Sequence, residues 1–258
     1  MTNKKRLWKI TASVVLGLMG LAALAIGLLY KFNSPLLESI CMKLASFDRH
    51  SDLPYSKMEY DGIDVSKYNG VIKWQQVAEN KNIKFVYVKA TEGSSRTDSR
   101  YRKNIEGAKA QGLLVGSYHF LTYKTPIREQ FENFRRQARK AEQDLIPVLD
   151  VEQTGIKGKW TPKQLQDSVA LFASLVKRHY GKLPVIYSGE KFYECNLSPA
   201  LDGHYLFIAN YNCRPDLAGK AKHNLWQFSE RGHVKGIGEY VDLIRLENQT
   251  QLDQLKLH

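Results

Sequence analysis

A chain of 258 residues has room for one catalytic-size domain and an appendage, not for two large domains. With 43% hydrophobic residues and no repeated or low-complexity stretch, its composition excludes a disordered polymer. The formal charge of +12 invites a nucleic-acid partner, yet Lys4, Lys5, Arg6, Lys9 and Lys31 flank one apolar run and leave +7 for residues 32–258.

That run comes first along the chain. Ile10 to Tyr30 carries no charged residue and is rich in Leu, Ala, Val and Gly. About 20 apolar residues are what a helix needs to cross a bilayer. The cations ahead of it favour a cytoplasmic N-terminus and send the rest of the chain outside. The expectation is a cytoplasmic tip and single-pass anchor at 1–31, with the membrane as a partner through that helix. A cleaved signal peptide, with Ala23-Leu24-Ala25 as its processing site, is the rival reading. Both readings place the following domain in the periplasm or outside the cell. Export argues against nucleic acid and for an anionic wall polymer. Residues 32–58, with Pro35 and Pro54, read as a juxtamembrane stalk before a domain at 59–258.

From Tyr60 the pattern becomes regular. Short β-rich runs occur at Gly62–Ser66, Phe85–Thr91, Leu113–Phe120, Ile146–Glu152, Val185–Ser188, Tyr205–Tyr211, Asn224–Ser229 and Tyr240–Leu246. Helical periodicity fits Trp74–Asn80, Ser99–Gln111, Pro126–Glu142 and Pro162–Tyr180, the last with Thr161 as a cap and Pro162 in the first turn. Strands alternating with helices imply parallel units, and eight of them imply a closed α/β barrel. The last connections, 212–223 and 230–239, are short and rich in Gly or Pro. A parallel crossover takes a dozen or more residues, usually helical, so the final strands should lack helices and at least one should run antiparallel. The three cysteines are Cys41, Cys195 and Cys213; in an exported domain Cys195 and Cys213 could pair. No ligand spacing suggests a metal, and no cofactor is expected.

The informative segment is Pro147-Val148-Leu149-Asp150-Val151-Glu152. Residues two apart on a strand share a face, so Asp150 and Glu152 project together from the C-terminal end of the fourth predicted strand. Active sites of such barrels sit at that end. Two neighbouring carboxylates cannot both ionise freely, and glycosidic cleavage uses that division between a protonated acid and an ionised partner. Asp64 on the first strand and Asp242 near the last are candidates to join them, because first and last strands are neighbours in a closed barrel; capping of local turns is their bland alternative. Tyr118, Tyr187, Tyr211 and Trp226 lie on intervening strands and offer ring faces to sugars, or simply pack the core.

These residues match a known family. The region from Tyr60 to Leu246 resembles glycoside hydrolase family 25, the lysozymes of fungal, phage and bacterial type. The resemblance rests on Gly62-Ile63-Asp64-Val65-Ser66, Ala90-Thr91-Glu92-Gly93, Gly116-Ser117-Tyr118-His119-Phe120, Val148-Leu149-Asp150-Val151-Glu152, Ile208-Ala209-Asn210-Tyr211, Trp226-Gln227-Phe228-Ser229 and Gly238-Glu239-Tyr240-Val241-Asp242. It implies an irregular β/α barrel that cleaves the β-1,4 bond between N-acetylmuramic acid and N-acetylglucosamine in peptidoglycan glycan strands. It further implies Glu152 as general acid and Asp150 as stabiliser of the transition state or orienter of the substrate acetamido group. Asp64 and Asp242 complete the acidic site and Tyr118 lines it. Lys67-Tyr68-Asn69-Gly70 departs from the pattern where many members carry Gln before the Gly, and Ile244 stands where Asn is usual. Two rivals remain: a chitinase-like glycosidase, disfavoured by Val148 where such enzymes place another Asp, and a non-catalytic glycan-binding barrel, disfavoured by the presence of all four acids.

Overall fold

The computed structural model describes residues 59–218, 221–247 and 249–258. The expected anchor at 10–30 lies outside them, and among the described residues no helix is long and apolar enough to cross a membrane.

The described residues hold nine strands: β1 Gly62–Val65, β2 Phe85–Glu92, β3 Arg96–Thr97, β4 Leu114–Phe120, β5 Val148–Asp150, β6 Val185–Gly189, β7 Leu206–Ala209, β8 His223–Gly232 and β9 Val241–Leu246. Eight of them close a ring in the order β1-β9-β8-β7-β6-β5-β4-β2, with β2 pairing back onto β1. The two-residue β3 hangs antiparallel on the end of β2. The pairings from β1 through β2 and β4 to β8 are parallel, and β9 runs antiparallel to both β8 and β1. The expected irregular closure is therefore observed, and its cause is the short link between β8 and β9.

Six helices connect the strands: α1 Trp74–Val77, α2 Tyr101–Ala110, α3 Ile127–Gln137, α4 Gln153–Ile156, α5 Pro162–Tyr180 and α6 Glu190–Asn196. In α5 the Thr161 hydroxyl accepts from Gln164 N–H while the Gln164 side chain accepts from Thr161 N–H, so two end groups are satisfied reciprocally. Pro162 occupies the first turn, and Gly181 at φ 100° stops the helix. The helices predicted over 74–80 and 126–142 end early, at Val77 and Gln137, and α4 and α6 are additional.

Strand alternation divides the apolar residues into two cores. Ile63, Val86, Val88, Leu149, Ile186, Ile208, Trp226 and Phe228 face outward against the helices. There Phe134 and Phe172 of α3 and α5 enclose the buried His119 ring, which stacks on Phe172 at 5.0 Å between centroids. Phe85, Tyr87, Val148, Val185, Phe207, Leu225 and Ile244 face inward and fill the lower barrel. Inside the barrel two aromatic rings need glycine opposite them. Gly62 is in register with Phe85 and Gly116 with Tyr87, and a Cβ on either glycine would come within 2.4 Å of the opposing ring. The C-terminal segment closes the bottom: Leu255 is fully buried in that inner core, and Ile146 N–H donates to Leu255 C=O at 2.8 Å. Cys213 carries a free thiol, so it is not paired with Cys195.

Candidate active site

The same alternation that turns Gly62, Val148, Val185, Leu225 and Ile244 inward aims the next inward residue of each of those strands toward the C-terminal mouth. Asp64, Asp150, Tyr187, Gln227 and Asp242 are these positions, and Tyr118 and Glu152 continue the series. Together with Tyr211 and Glu230 they line a cavity of about 210 Å³, with Tyr87, Val148 and Phe207 also in its walls. All four sequence-predicted acids and three of the four predicted aromatics thus converge.

Trp226 does not. Its side chain is 2% exposed, packs edge-on to Phe228 at 5.7 Å between centroids, and donates from Nε1 to the Asn210 carbonyl at 2.8 Å. It sits in the outward core, so the expectation that it contacts glycan is corrected. The inward residue is its neighbour Gln227, which the sequence reading passed over. Parity along β8 carries the signal: Leu225 and Gln227 share one face, Trp226 and Phe228 the other.

Gln227 joins the two sides of the site. Its Oε1 accepts from the hydroxyls of Tyr187 at 2.7 Å and Tyr211 at 2.6 Å. Two donors on the carbonyl oxygen fix the amide orientation, and its Nε2 donates to Asp64 Oδ2 at 2.8 Å. Asp64 and Asp242 stand directly opposite each other across the β1–β9 ladder and share a side-chain hydrogen bond. That bond lowers the proton affinity of Asp64 and raises that of Asp242. Burial pushes Asp64 up to about 6 even so, and burial plus the Asp64 charge holds Asp242 well above the usual carboxylate range. Asn69, where the chain departs from the family pattern, ties this corner down. Its Oδ1 accepts from Ser66 N–H at 2.8 Å and its Nδ2 donates to Tyr240 C=O at 2.8 Å, joining the exit of β1 to the entry of β9.

Across the cavity Asp150 is 6% exposed, and its Oδ1 meets no donor among the described residues. Burial raises it well above the usual range, and the Glu152 charge adds to that. Glu152 is half-buried, nearer the mouth, and accepts from the Thr154 hydroxyl at 2.9 Å. Burial raises Glu152 as well, opposed by the Thr154 bond and the charge of Lys89. Lys89 bonds Glu92 at 3.2 Å and lies 4.7 Å from the Phe120 ring centroid. Burial also lifts Tyr118, Tyr187 and Tyr211 far above ordinary phenols, so all three remain O–H donors. Among the described residues, no group of three or more His, Cys, Asp or Glu is arranged to hold a metal ion.

A closed β/α barrel with buried carboxyls and phenols around one polar cavity has the equipment of a glycoside hydrolase: acids whose proton affinity burial raises, and ring faces for sugars. The sequence profile of glycosyl hydrolases family 25 matches residues 63–237, and the chain belongs to that family. It is 36% identical over 186 residues to the uncharacterized protein YegX of Escherichia coli, covering 70% of this chain and 67% of that one. It is 33% identical over 183 residues to the autolytic lysozyme of Clostridium acetobutylicum, covering 70% of this chain and 54% of the relative. Among solved structures, a family 25 glycosyl hydrolase from Bacillus anthracis superposes with a TM-score of 0.69 at 28% identity, over 81% of this chain and 97% of that one.

Proposed function

We propose that the protein hydrolyses the β-1,4 bond between N-acetylmuramic acid and N-acetylglucosamine in peptidoglycan. The observation that carries this reading is the placement of Asp64, Asp150, Glu152 and Asp242 around one tyrosine-lined cavity in a chain of this family. Glu152 donates its proton to the glycosidic oxygen as that bond breaks. Asp150 offsets the positive charge that develops at the sugar carbon, or orients the acetamido group beside it. The Asp64–Asp242 pair and the Tyr187–Gln227–Tyr211 bonds give the cleft fixed donors and acceptors for sugar hydroxyl and amide groups. Tyr118, Tyr187 and Tyr211 supply ring faces. Digestion of purified peptidoglycan by the full-length protein, followed by mass spectrometry of the new reducing ends, should show muramic acid ends. Glucosamine ends, or no release, would overturn the assignment.

The domain order is part of the proposal: cytoplasmic tip and anchor at 1–31, stalk at 32–58, barrel at 59–258. An anchor would hold the enzyme beside the cell's own wall. The uncharged run Ile10–Tyr30 supports it, and the full-length protein should stay with membranes through a high-salt wash. A shortened form starting near Ile26 in the soluble exported fraction would point to a cleaved signal instead.

A further inference from the structure

A second cavity, of about 300 Å³, adjoins the acidic one. It is built from three segments that follow consecutive strands of the ring: 93–96 after β2, 122–125 after β4, and α4 with its cap, 154–157, after β5. Thr154 belongs to its wall and also donates to Glu152, so the groove begins one side chain from the proposed proton donor. Its chemistry is the opposite of the cleft's. The one carboxylate in its wall, Glu92, is already bonded to Lys89 and Arg96. Lys124 and Lys157 are exposed, and neither ammonium makes a hydrogen bond or ion pair to the described residues. Thr125 Oγ1 is buried in the same wall without a partner.

Lys157 carries a second signal. It caps the four-residue α4 at φ 52°, in the left-handed region that glycine adopts freely, and Gly158 follows it at φ 62°. A side chain at such a cap is less favourable than glycine by about 1 kcal/mol. The chain places an ammonium there all the same, and it lies at the wall of the groove.

We propose that this groove binds the carboxylates of the peptide stem carried by the muramyl residue. The inference rests on the muramidase reading and adds a substrate determinant to it. A neutral glycan suits a cleft walled by Asp64, Asp150, Glu152, Glu230 and Asp242, whereas an acidic peptide is repelled there. Lys124 and Lys157, beside hydroxyls of the 93–96 and 122–125 loops, give those carboxylates a place adjoining the scissile bond. The muramyl sugar would then sit at Glu152 with its stem turned toward the Thr154 side.

The test compares soluble peptidoglycan chains bearing their peptides with the same chains after amidase treatment, using the full-length protein. Wild-type enzyme should show the lower KM on stem-bearing chains. Lys157→Gly suits the backbone at that position, so its melting temperature should not fall; its KM on stem-bearing chains should rise by up to about fivefold, as should that of Lys124→Gln. The double variant should approach the product of the two, with kcat held and the rise confined to stem-bearing chains. Equal KM for both substrates in wild type, or lysine variants that weaken both substrates alike, would overturn the proposal. Hydrolysis of neither substrate would instead refute the muramidase reading, and this inference with it.

Discussion

Asp150 and Glu152 lie two residues apart on one strand face, yet they meet different surroundings. Asp150 is the deeper, with one oxygen lacking a donor, while Glu152 keeps the Thr154 hydroxyl and the open side of the cavity. Loss of water raises both, and the Glu152 charge adds to the rise on Asp150, so the two carboxyls titrate as a pair. Glu152→Gln preserves size and hydrogen bonding but has no proton to deliver. Turnover should fall by at least about 10²–10⁴-fold while glycan binding survives. Asp150→Asn should also slow the reaction, since an amide cannot offset positive charge. It has a second consequence, because it removes a like charge from beside Glu152. The proton affinity of Glu152 then drops, and the alkaline limb of the residual pH–rate profile should move to lower pH. Near-wild-type turnover by folded Glu152→Gln would reassign the acid, with Asp64 or Asp242 next in line.

At the scale of elements, the eight barrel strands are legible because each is a short apolar run stopped by Gly, Pro, Asn or charge. α5 is legible to the residue because Thr161, Pro162 and Gly181 mark its ends. α4 and α6, at four and seven residues, span too few turns to show a period, and the two-residue β3 has no pattern at all. α1 and α3 end earlier than their periodicity suggests: Ala138 leaves the helical region at ψ 71°, and Lys140–Glu142 form a separate 3-10 turn. The site divides the same way. Asp64, Asp150, Glu152 and Asp242 can be read from strand ends, because a mostly apolar strand ending in acid is chemically conspicuous. Gln227 escapes a reading by residue type, which favours the aromatic Trp226 beside it, and only strand parity separates the two. A barrel strand covered by helices is apolar on both faces low down, so the aromatic on β8 carries no information about which way it points. The Lys124–Lys157 groove is beyond sequence reading for another reason: its three segments meet only once the ring is closed.

At the scale of the molecule, the acidic cavity makes folding depend on pH in a direction opposite to that of most carboxylates. A carboxyl whose folded pKa lies above its unfolded value adds stability below the unfolded pKa, and that stability is lost as pH rises through the folded one. Asp64, moved from 3.8 to about 6, is ionised at a cost on the order of 3 kcal/mol at neutral pH. Asp242, Asp150 and Glu152 act in the same direction. His119 opposes them. Its burial lowers it from 6.5 to about 4, so below about 6.5 the unfolded chain gains a proton that the fold refuses, and stability is lost as pH falls. The Asp64 contribution is recovered as pH falls through about 6, the region in which His119 opposes it, so a substitution within the carboxyl set reads the sign more cleanly than the wild-type curve. Asp242→Asn keeps a donor toward Asp64 and removes one buried charge. It should raise the melting temperature at pH 8, by several degrees if the effect is 1–2 kcal/mol in a domain of roughly 200 residues. Its advantage should shrink as pH falls and wild-type Asp242 takes up its proton. Thermal unfolding of both proteins across pH 5 to 8 checks the sign. An Asp242→Asn variant equally destabilised at both ends would show that the cavity carboxyls do not carry the strain assigned to them.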